Sequence, residues 1–389
     1  MFAVDPSSKP SLELLRSLTD EHVLRALMRH RRLTRAELAA EIGISKPTAG
    51  ESVRRLTEAG VVIDTGERTR GGRGRGRVGS YYALAENVGT ALAVSIAPEG
   101  IVAECVDAYG ETVARAARTT SRPARSEQVD QAVRAAVAAA RDALRVPPRL
   151  AVVSAADPVD RTTGRLVHLP DAPFLLGELD PVEVLAPLVE GPVAVDNDVN
   201  WAAQAERDHD PTLTDFAYLY LDEGIGGAIV NDGEVRRGGS GLAGEIAHLI
   251  TIGPEGQAIR LIEVFGELGL RQHDSTAIDV DRLLAAVTES TTTGRMLAQA
   301  VSGVLAAVAA LVDPALVIVG GSWGRDPVVL TGIREAAEDL PRRLPIRAAH
   351  LTVEPSLTGA RHDALARLRA AIVATPQDRR IDAATPAAG

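Results

Sequence analysis

Thr34-Arg-Ala-Glu-Leu-Ala-Ala-Glu-Ile-Gly-Ile-Ser-Lys-Pro-Thr-Ala-Gly-Glu-Ser-Val-Arg-Arg-Leu56 is the stretch on which the reading of the chain turns. It holds two short segments of helical period joined at Gly43-Ile44-Ser45. Thr34 and Glu37 form the S/T-x-x-E capping box, which satisfies orphan amides of a first turn. Leu38 and Ile42 then fall four apart on one face. Gly43 permits the tight turn, Ser45 caps the second helix, and Pro47 sits in its first turn, where a missing amide hydrogen costs little. Ala49, Val53 and Leu56 recur at i, i+4 and i+7 and are expected to pack inward. Ser45, Lys46, Pro47, Thr48, Glu51, Arg54 and Arg55 are then left to project toward a major groove. Arginine there grips guanine edges bidentately. Glu51 either accepts from a cytosine amino group or only pairs with Arg54 or Arg55.

Val61-Val62-Ile63 and Ser80-Tyr81-Tyr82-Ala83-Leu84 read as the two strands of a hairpin. Its tip, Arg68-Thr-Arg-Gly-Gly-Arg-Gly-Arg-Gly-Arg77, carries five arginines. Glycine lets a backbone approach phosphates closely, and guanidiniums on such a loop suit a narrow minor groove, so Arg70, Arg73, Arg75 and Arg77 are read as DNA contacts of a wing. An Arg/Gly run alone also fits a solvated loop; its spacing behind a helix-turn-helix favours the wing. Residues 1–85 hold 15 Lys and Arg against 10 Asp and Glu, a net +5, while the rest of the chain is net −15. Only the N-terminal part suits a polyanion, because the acidic remainder repels nucleic acid.

With 389 residues the chain is long enough for two or three domains and a large core. The first residues lack a basic, apolar leader, and the longest uncharged run, Met296–Val312, is interrupted by Gln299, Ser302 and Gly303. That run reads as a buried or interface helix, and no membrane partner is expected. The single cysteine, Cys105, excludes an intramolecular disulfide and fits a cytoplasmic protein. The expected domains are a winged helix-turn-helix over 1–85, a larger ligand-binding domain over 86–374, and a disordered tail over 375–389, where no periodicity remains.

The large part alternates strands and helices. Ala91–Ile96 and Ile101–Asp107 flank a hairpin turn at Pro98-Glu99-Gly100, and Val129–Leu144 is an Ala-rich helix. Leu150–Ser154, Val193–Asp196, Ala217–Leu221, Ala228–Val230 and Leu316–Gly321 read as further strands. Such alternation means an α/β core with a mixed sheet, whose ligands sit at strand ends. Those ends carry polar residues here. Asn197, Asp198 and Asn200 follow one buried strand at a helix start, and Glu245 and His248 stand three apart in Gly238-Gly-Ser-Gly-Leu-Ala-Gly-Glu-Ile-Ala-His248. Each alone reads as readily as a cap or a satisfied surface polar group. Converging on one cleft, carboxylates, an amide and an imidazole suit a polyhydroxylated ligand, whose hydroxyls both donate and accept.

From about Glu21 to Leu365 the chain resembles the ROK family of sugar kinases and sugar-responsive repressors. Asn197-Asp198 with Asn200, Ala203 and Glu206 resembles the family's Asn-Asp-x-Asn-x-x-Ala-x-x-Glu segment, and Gly244-Glu245-Ile246-Ala247-His248 its Gly-Glu-Ile-Gly-His. The resemblance implies an N-terminal winged helix-turn-helix followed by a two-lobed, actin-like ATPase fold. It implies sugar contacts from Asn197, Asp198, Glu245 and His248, with Glu263 matching a further glutamate and Glu267 the competing match. In the family's kinases the residue matching Asp198 is the general base. The family's first phosphate loop, Asp-x-Gly-Gly-Thr, lines up with Ser95-Ile96-Ala97-Pro98-Glu99, and its second, Gly-Thr-Gly-Ile-Gly, with Asp222-Glu223-Gly224-Ile225-Gly226.

Both alignments put acids where phosphoryl oxygens would lie. Like charges at about 4 Å repel by roughly 1 kcal/mol even in bulk water, and phosphoryl transfer depends on neutralising such charge. No kinase activity is therefore expected, and no cofactor. Thr251–Phe265 contains no cysteine, so the family's Cys-rich zinc loop has no counterpart and no metal site is expected; the resemblance also puts Asp171 where the family often has Asn. Three functional readings stand: a sugar-responsive DNA-binding regulator, a repressor acting as a homodimer or higher oligomer on operator DNA; an active sugar kinase with an attached DNA-binding domain; and a regulator whose cleft no longer takes sugar.

Overall fold

The computed structural model describes residues 12–69, 79–168 and 174–384. Helix α1 (Leu12–His30) is followed by β1 (Arg32–Thr34), α2 (Arg35–Ile42), α3 (Lys46–Glu58), β2 (Val62–Arg68) and β3 (Ser80–Leu84). The capping box forms: Glu37 N donates to Thr34 Oγ1 at 3.2 Å and Thr34 N to Glu37 Oε2 at 2.8 Å. Gly43 ends α2 at φ 75°, a left-handed conformation that glycine reaches without strain. Ser45 caps α3 by accepting from Thr48 N at 3.2 Å. Ala49, Val53 and Leu56 are fully buried, and β1, β3 and β2 pair antiparallel beneath the wing. The wing residues Arg70, Arg73, Arg75 and Arg77 lie outside the described residues, as does Asp171.

In α3 one open alternative takes a definite form and one expectation is corrected. Glu51 pairs with Arg54 at 2.6 Å, and Arg54 also reaches Glu58 at 2.5 Å, so the intrahelical alternative for Glu51 is the one the fold adopts. Arg55 does not project outward. Its Nη2 donates to Asp20 Oδ1 of α1 at 2.6 Å, and the same oxygen accepts from Ser52 Oγ at 2.5 Å. Asp20 is only 3 % exposed, so α3 is tied to α1 through a buried carboxylate that needs both donors. Helix α1 is itself an element the sequence reading did not name. Val23, Leu24 and Leu27 form its buried stripe.

The remainder builds two sheets of the same plan. After β4 (Ala91–Ala97), β5 (Gly100–Val106) and β6 (Thr112–Arg118) come the two-residue β7 (Ala124–Arg125), α4 (Ser126–Arg141), β8 (Ala151–Ala155), the two-residue β9 (Leu175–Leu176), the short α5 (Pro181–Leu185) and β10 (Val193–Asn197). The first lobe's sheet runs β10-β8-β4-β5-β6, parallel on the β10 side and antiparallel on the β6 side. Helix α6 (Asp198–His209) leads to β11 (Phe216–Leu221), β12 (Ile225–Asn231), β13 (Glu234–Val235), β14 (Ile250–Ile252), β15 (Ala258–Arg260), α7 (Leu261–Glu267), α8 (Val280–Glu289), α9 (Thr291–Val312), β16 (Leu316–Gly320), α10 (Pro327–Ala337), β17 (Ile346–Ala348) and α11 (Pro355–Ala384). The second sheet, β17-β16-β11-β12-β13, repeats the two parallel and two antiparallel pairings. Both hairpins, β4–β5 and β11–β12, turn toward the space between the lobes.

Helix α9 is long and apolar enough to cross a bilayer, yet Leu297, Val301, Val304, Leu305 and Val308 lie in the second lobe's core. The segment without cysteines folds as the β14–β15 hairpin. Thr251 Oγ1 donates to Ala300 O of α9 at 2.6 Å, and Gly303 makes room for it, since a Cβ there would stand 2.3 Å from that oxygen. Helix α11 continues to Ala384, so the stretch after Thr375 read from sequence as disordered is helical that far; its Gln, Arg and Ala residues are good helix formers that need no apolar period.

Helix α6 joins the parts. Val199, Ala202 and Ala203 pack on the second sheet, while Trp201 turns to the first lobe, donating from Nε1 to Val153 O at 2.9 Å. Helix α11 lies directly on it: a Cβ on Gly359 would come within 2.0 Å of Trp201 O. One continuous apolar cluster then runs from Trp201 through Leu357, Leu368 and Ile372 of α11 to Leu24 and Leu27 of α1 and Leu56 of α3. The Arg31 guanidinium stacks 5.1 Å from the Tyr109 ring and pairs with Glu111, adding a polar edge to this junction.

Replacing Arg55 by Ala removes the cationic partner of Asp20 while Ser52 still donates to it. The expected cost is about 3 kcal/mol, at the low end for breaking one side of a buried pair, read as a lower unfolding midpoint in urea. Replacing Arg54, which is solvated, should shift the midpoint by less than about 0.5 kcal/mol; equal effects at the two positions would contradict the assignment.

Candidate functional site

The strand ends converge on a cleft of 520 Å³ between the lobes. Strand β10 delivers Asn197 and Asp198 at the start of α6, where Asn197 Oδ1 caps the helix by accepting from Val199 N at 3.0 Å. Gly244 has φ 101°, and a Cβ there would meet Gly227 O at 2.0 Å. The chain thus lies against β12 and turns Glu245 and His248 into the cleft. Between Glu245 and His248 the backbone makes only a three-residue 3₁₀ turn, Ile246–His248, rather than a regular helix. Four of the five residues expected around the ligand, Asn197, Asp198, Glu245 and His248, therefore line one cavity.

Glu263 does not join them. It is the third residue of α7, where Oε2 accepts from Arg260 N at 3.0 Å and Oε1 pairs with the Arg260 guanidinium at 2.8 Å, a reciprocal cap that turns it away from the cleft. Glu267 is no substitute, since it accepts from Gln257 Nε2 at 2.5 Å. Asn200 and Glu206 of the same sequence motif are structural. Asn200 Nδ2 donates to Asp196 Oδ1 at 2.8 Å beneath the Arg237–Asp196 ion pair, and fully buried Glu206 accepts from Leu351 N at 2.8 Å and pairs with Arg347 at 3.1 Å.

Sequence reading missed Asp157. It stands two residues past the buried strand β8, only 4 % exposed, and its Oδ2 takes no hydrogen bond from the described residues. Burial raises its pKa to about 7, with the Glu245 carboxylate adding to the effect. Burial also lifts Asp198 to about 8, opposed by the Val199 amide and reinforced by Asp157, Glu99 and Glu245; Glu245 rises to about 7 from burial. Asp198 and Glu245 are half-buried and face the cavity, so the cost of ionising them is that of a poorly hydrated pocket.

The nucleotide side of the cleft is lined by Glu99 at the β4–β5 turn and by Asp222 and Glu223 at the β11–β12 turn. Asp222 is engaged, accepting from Glu223 N at 2.9 Å and from Ser322 N at 2.7 Å. Glu223 corrects the picture of bare anions drawn from sequence. Arg122 of the first lobe reaches across and donates to both its oxygens, at 2.8 and 2.9 Å. Both partners are part-exposed, so the bridge adds no more than about 1 kcal/mol. It nonetheless puts a guanidinium and its counter-ion where a phosphate tail would need both room and free cations.

Residues 91–259 match the ROK family model and residues 16–63 the winged helix-turn-helix DNA-binding model. Over 180 residues the chain is 32 % identical to the bifunctional enzyme NanE/NanK of Brucella suis biovar 1, covering 43 % of this chain and 34 % of that one, so it spans about a third of that relative's length. It is 26 % identical over 290 residues to the N-acetylmannosamine kinase of Salmonella heidelberg, covering 70 % of this chain and 97 % of that enzyme. A ROK family transcriptional regulator, homologue of the E. coli MLC protein, superposes with a TM-score of 0.62 over 94 % of this chain and 99 % of that one, at 16 % identity. A ROK glucokinase from Streptomyces griseus, in complex with glucose and AMPPNP, gives 0.54 over 70 % and 98 %, at 24 % identity. These two likenesses speak for a shared two-lobed, actin-like fold. The chain thus carries a segment that matches the ROK family over residues 91–259, with a winged helix-turn-helix ahead of it over residues 16–63.

Proposed function

We propose that this protein is a DNA-binding transcription regulator, acting as a repressor in the cytoplasm, whose hold on operator DNA is set by a sugar or sugar derivative bound in a cleft that does no phosphoryl transfer. The observation that carries this reading is the continuity between cleft and DNA-binding domain. Asp198 is the first residue of α6, α11 lies on the backbone of α6, and α1 and α3 pack in the same apolar cluster as α11. A ligand that shifts α6 relative to the first lobe has a rigid route to the orientation of α3. In an oligomer bound to two half-sites, such a shift alters their match to the DNA, and the ligand acts through its different affinity for the two arrangements.

In this reading Ser45, Lys46, Pro47, Thr48 and Arg54 form the reading face of α3, and the wing arginines add phosphate and minor-groove contacts. Arg55 serves as support for that face. Asn197, Asp198, Glu245 and His248 hold ligand hydroxyls, the carboxylates as acceptors and the amide as donor and acceptor.

The competing reading, a sugar kinase, draws on Asp198, whose raised pKa suits a base for a hydroxyl proton. Against it stand Glu99, Asp222 and the Arg122–Glu223 bridge on the nucleotide side, where transfer needs charge neutralisation. Coupled assay of ADP release with a panel of hexoses, N-acetylhexosamines and pentoses is expected to show no turnover; rates above about 1 per second with any sugar would establish the kinase reading.

Gel shifts on the DNA upstream of the protein's own gene are expected to show a specific complex that weakens when the effector sugar is added. Arg54→Ala should lower discrimination between specific and random DNA by about 1–3 kcal/mol while leaving the unfolding midpoint near its original value. Unchanged discrimination would move sequence reading to the wing.

A further inference from the structure

Several acids in and near the cleft have an arginine partner. Asp196 holds Arg237, Glu223 holds Arg122, and Glu263 holds Arg260. Asp157, Asp198 and Glu245 are different: all three line the cavity, and no described basic side chain forms an ion pair with any of them. Asp157 is the most telling. A carboxylate oxygen that is enclosed, turned to the cavity and unbonded by the described protein groups is costly unless something it binds provides a donor.

The nature of that donor follows from the arrangement. Among the described residues no three His, Cys, Asp or Glu side chains converge closely enough to hold a metal ion. The carboxylates are neighbours that feel one another's charge without sharing a point between them. A neutral hydroxyl satisfies one lone pair but leaves the repulsion among three acids in place. An ammonium group donates to the unbonded Asp157 oxygen directly and, by its charge alone, lowers the repulsion among all three acids.

Resting on the reading of the cleft as a sugar-type effector site, we propose that the ligand is a free amino sugar, its protonated primary amine donating to Asp157, with Asp198 and Glu245 lining the same cavity, and its hydroxyls reaching Asn197 and His248. The cavity of 520 Å³ accommodates a monosaccharide. The other charged groups facing it are Glu99, Asp222 and Asp274, the imidazoles of His248 and His273, and the Arg122–Glu223 pair, so the acids dominate.

The amine must be protonated and its acceptors ionised. Burial raises the pKa values of these acceptors into the neutral range. Affinity for an amino sugar therefore rises with pH as the carboxyls lose their protons, then falls once the amine loses its own. A neutral sugar lacks the falling limb.

The test is calorimetric titration of the full chain at pH 7.5 with glucosamine, mannosamine and galactosamine, each beside its parent hexose and its N-acetyl derivative. At least one free amine should bind about tenfold tighter than both of its neutral counterparts, and Asp157→Asn should reduce that preference to less than about threefold. Glu245→Gln provides the same reading should Asp157→Asn fail to fold. Equal or tighter binding of a neutral counterpart overturns the proposal and leaves the sugar reading standing. Absence of binding by every sugar in the panel overturns both. A preference for the amine that survives both substitutions also overturns it, because the charge would then be recognised elsewhere.

Discussion

Backbone-to-backbone contact between α11 and α6 at Gly359 and Trp201 is the constraint on which the arrangement of the molecule depends. Any side chain at 359 would force the helices apart by more than an ångström, and interiors packed at crystal-like density have no slack to absorb that. Through this contact α6 is clasped between two sheets and one long helix. Its N-terminus sits at the floor of the cleft, and its buried Glu206 is tied near its other end to Arg347 and the Leu351 amide. A helix held this way moves as a unit. The DNA-binding domain rests on α11 and the first lobe through one apolar cluster, with a polar edge around Arg31 and Tyr109.

The two lobes repeat one plan, and the divergence between them and a catalytic version of the fold is concentrated at equivalent hairpin tips. Glu99 terminates one and Asp222-Glu223 the other. An acid near a phosphate is unfavourable, but an acid bonded to backbone amides or a guanidinium is well placed. Asp222 holds the Ser322 amide, and Glu223 holds Arg122 from the opposite lobe. The acids at the β11–β12 tip are thus engaged in protein-to-protein contacts, one of which spans the cleft. The weak Arg122–Glu223 bridge suits lobes that change their relative position, whereas a strong one would lock them.

What could be read from sequence followed from how local the determining physics is. The Thr34–Glu37 box, the Gly43 turn and the buried Ala49, Val53 and Leu56 are all set within one or two turns, and each appears in the fold where the pattern places it. Strands such as Phe216–Leu221 and Leu316–Gly320, buried on both faces, announce themselves as continuous apolar runs. Arg55 did not, because its orientation depends on Asp20, thirty-five residues away on a helix that the reading left unnamed. Glu263 was placed by motif, and its role is decided by Arg260, three residues earlier, which supplies both a backbone amide and a guanidinium. Asp157 had a legible signal, an acid just beyond a buried strand in an α/β core, and the rule that ligands gather at such ends applies to it as it did to Asp198.

Charge in the cleft links these observations. Under the proposed reading, a cleft without phosphoryl transfer has no need for cations beside its ligand, and acids can accumulate there so long as each finds a donor. Asp196, Glu223 and Glu263 found arginines. Burial raises the pKa values of Asp157, Asp198 and Glu245, and each unit of such elevation corresponds to about 1.4 kcal/mol of unfavourable charging. A ligand that restores the missing positive charge recovers part of that energy on binding, and it does so on the first residue of the helix that connects the cleft to the DNA-binding domain. Strain relieved at Asp198 and a shift of α6 are then one event, which gives an effector leverage over α3 without any contact between the two sites.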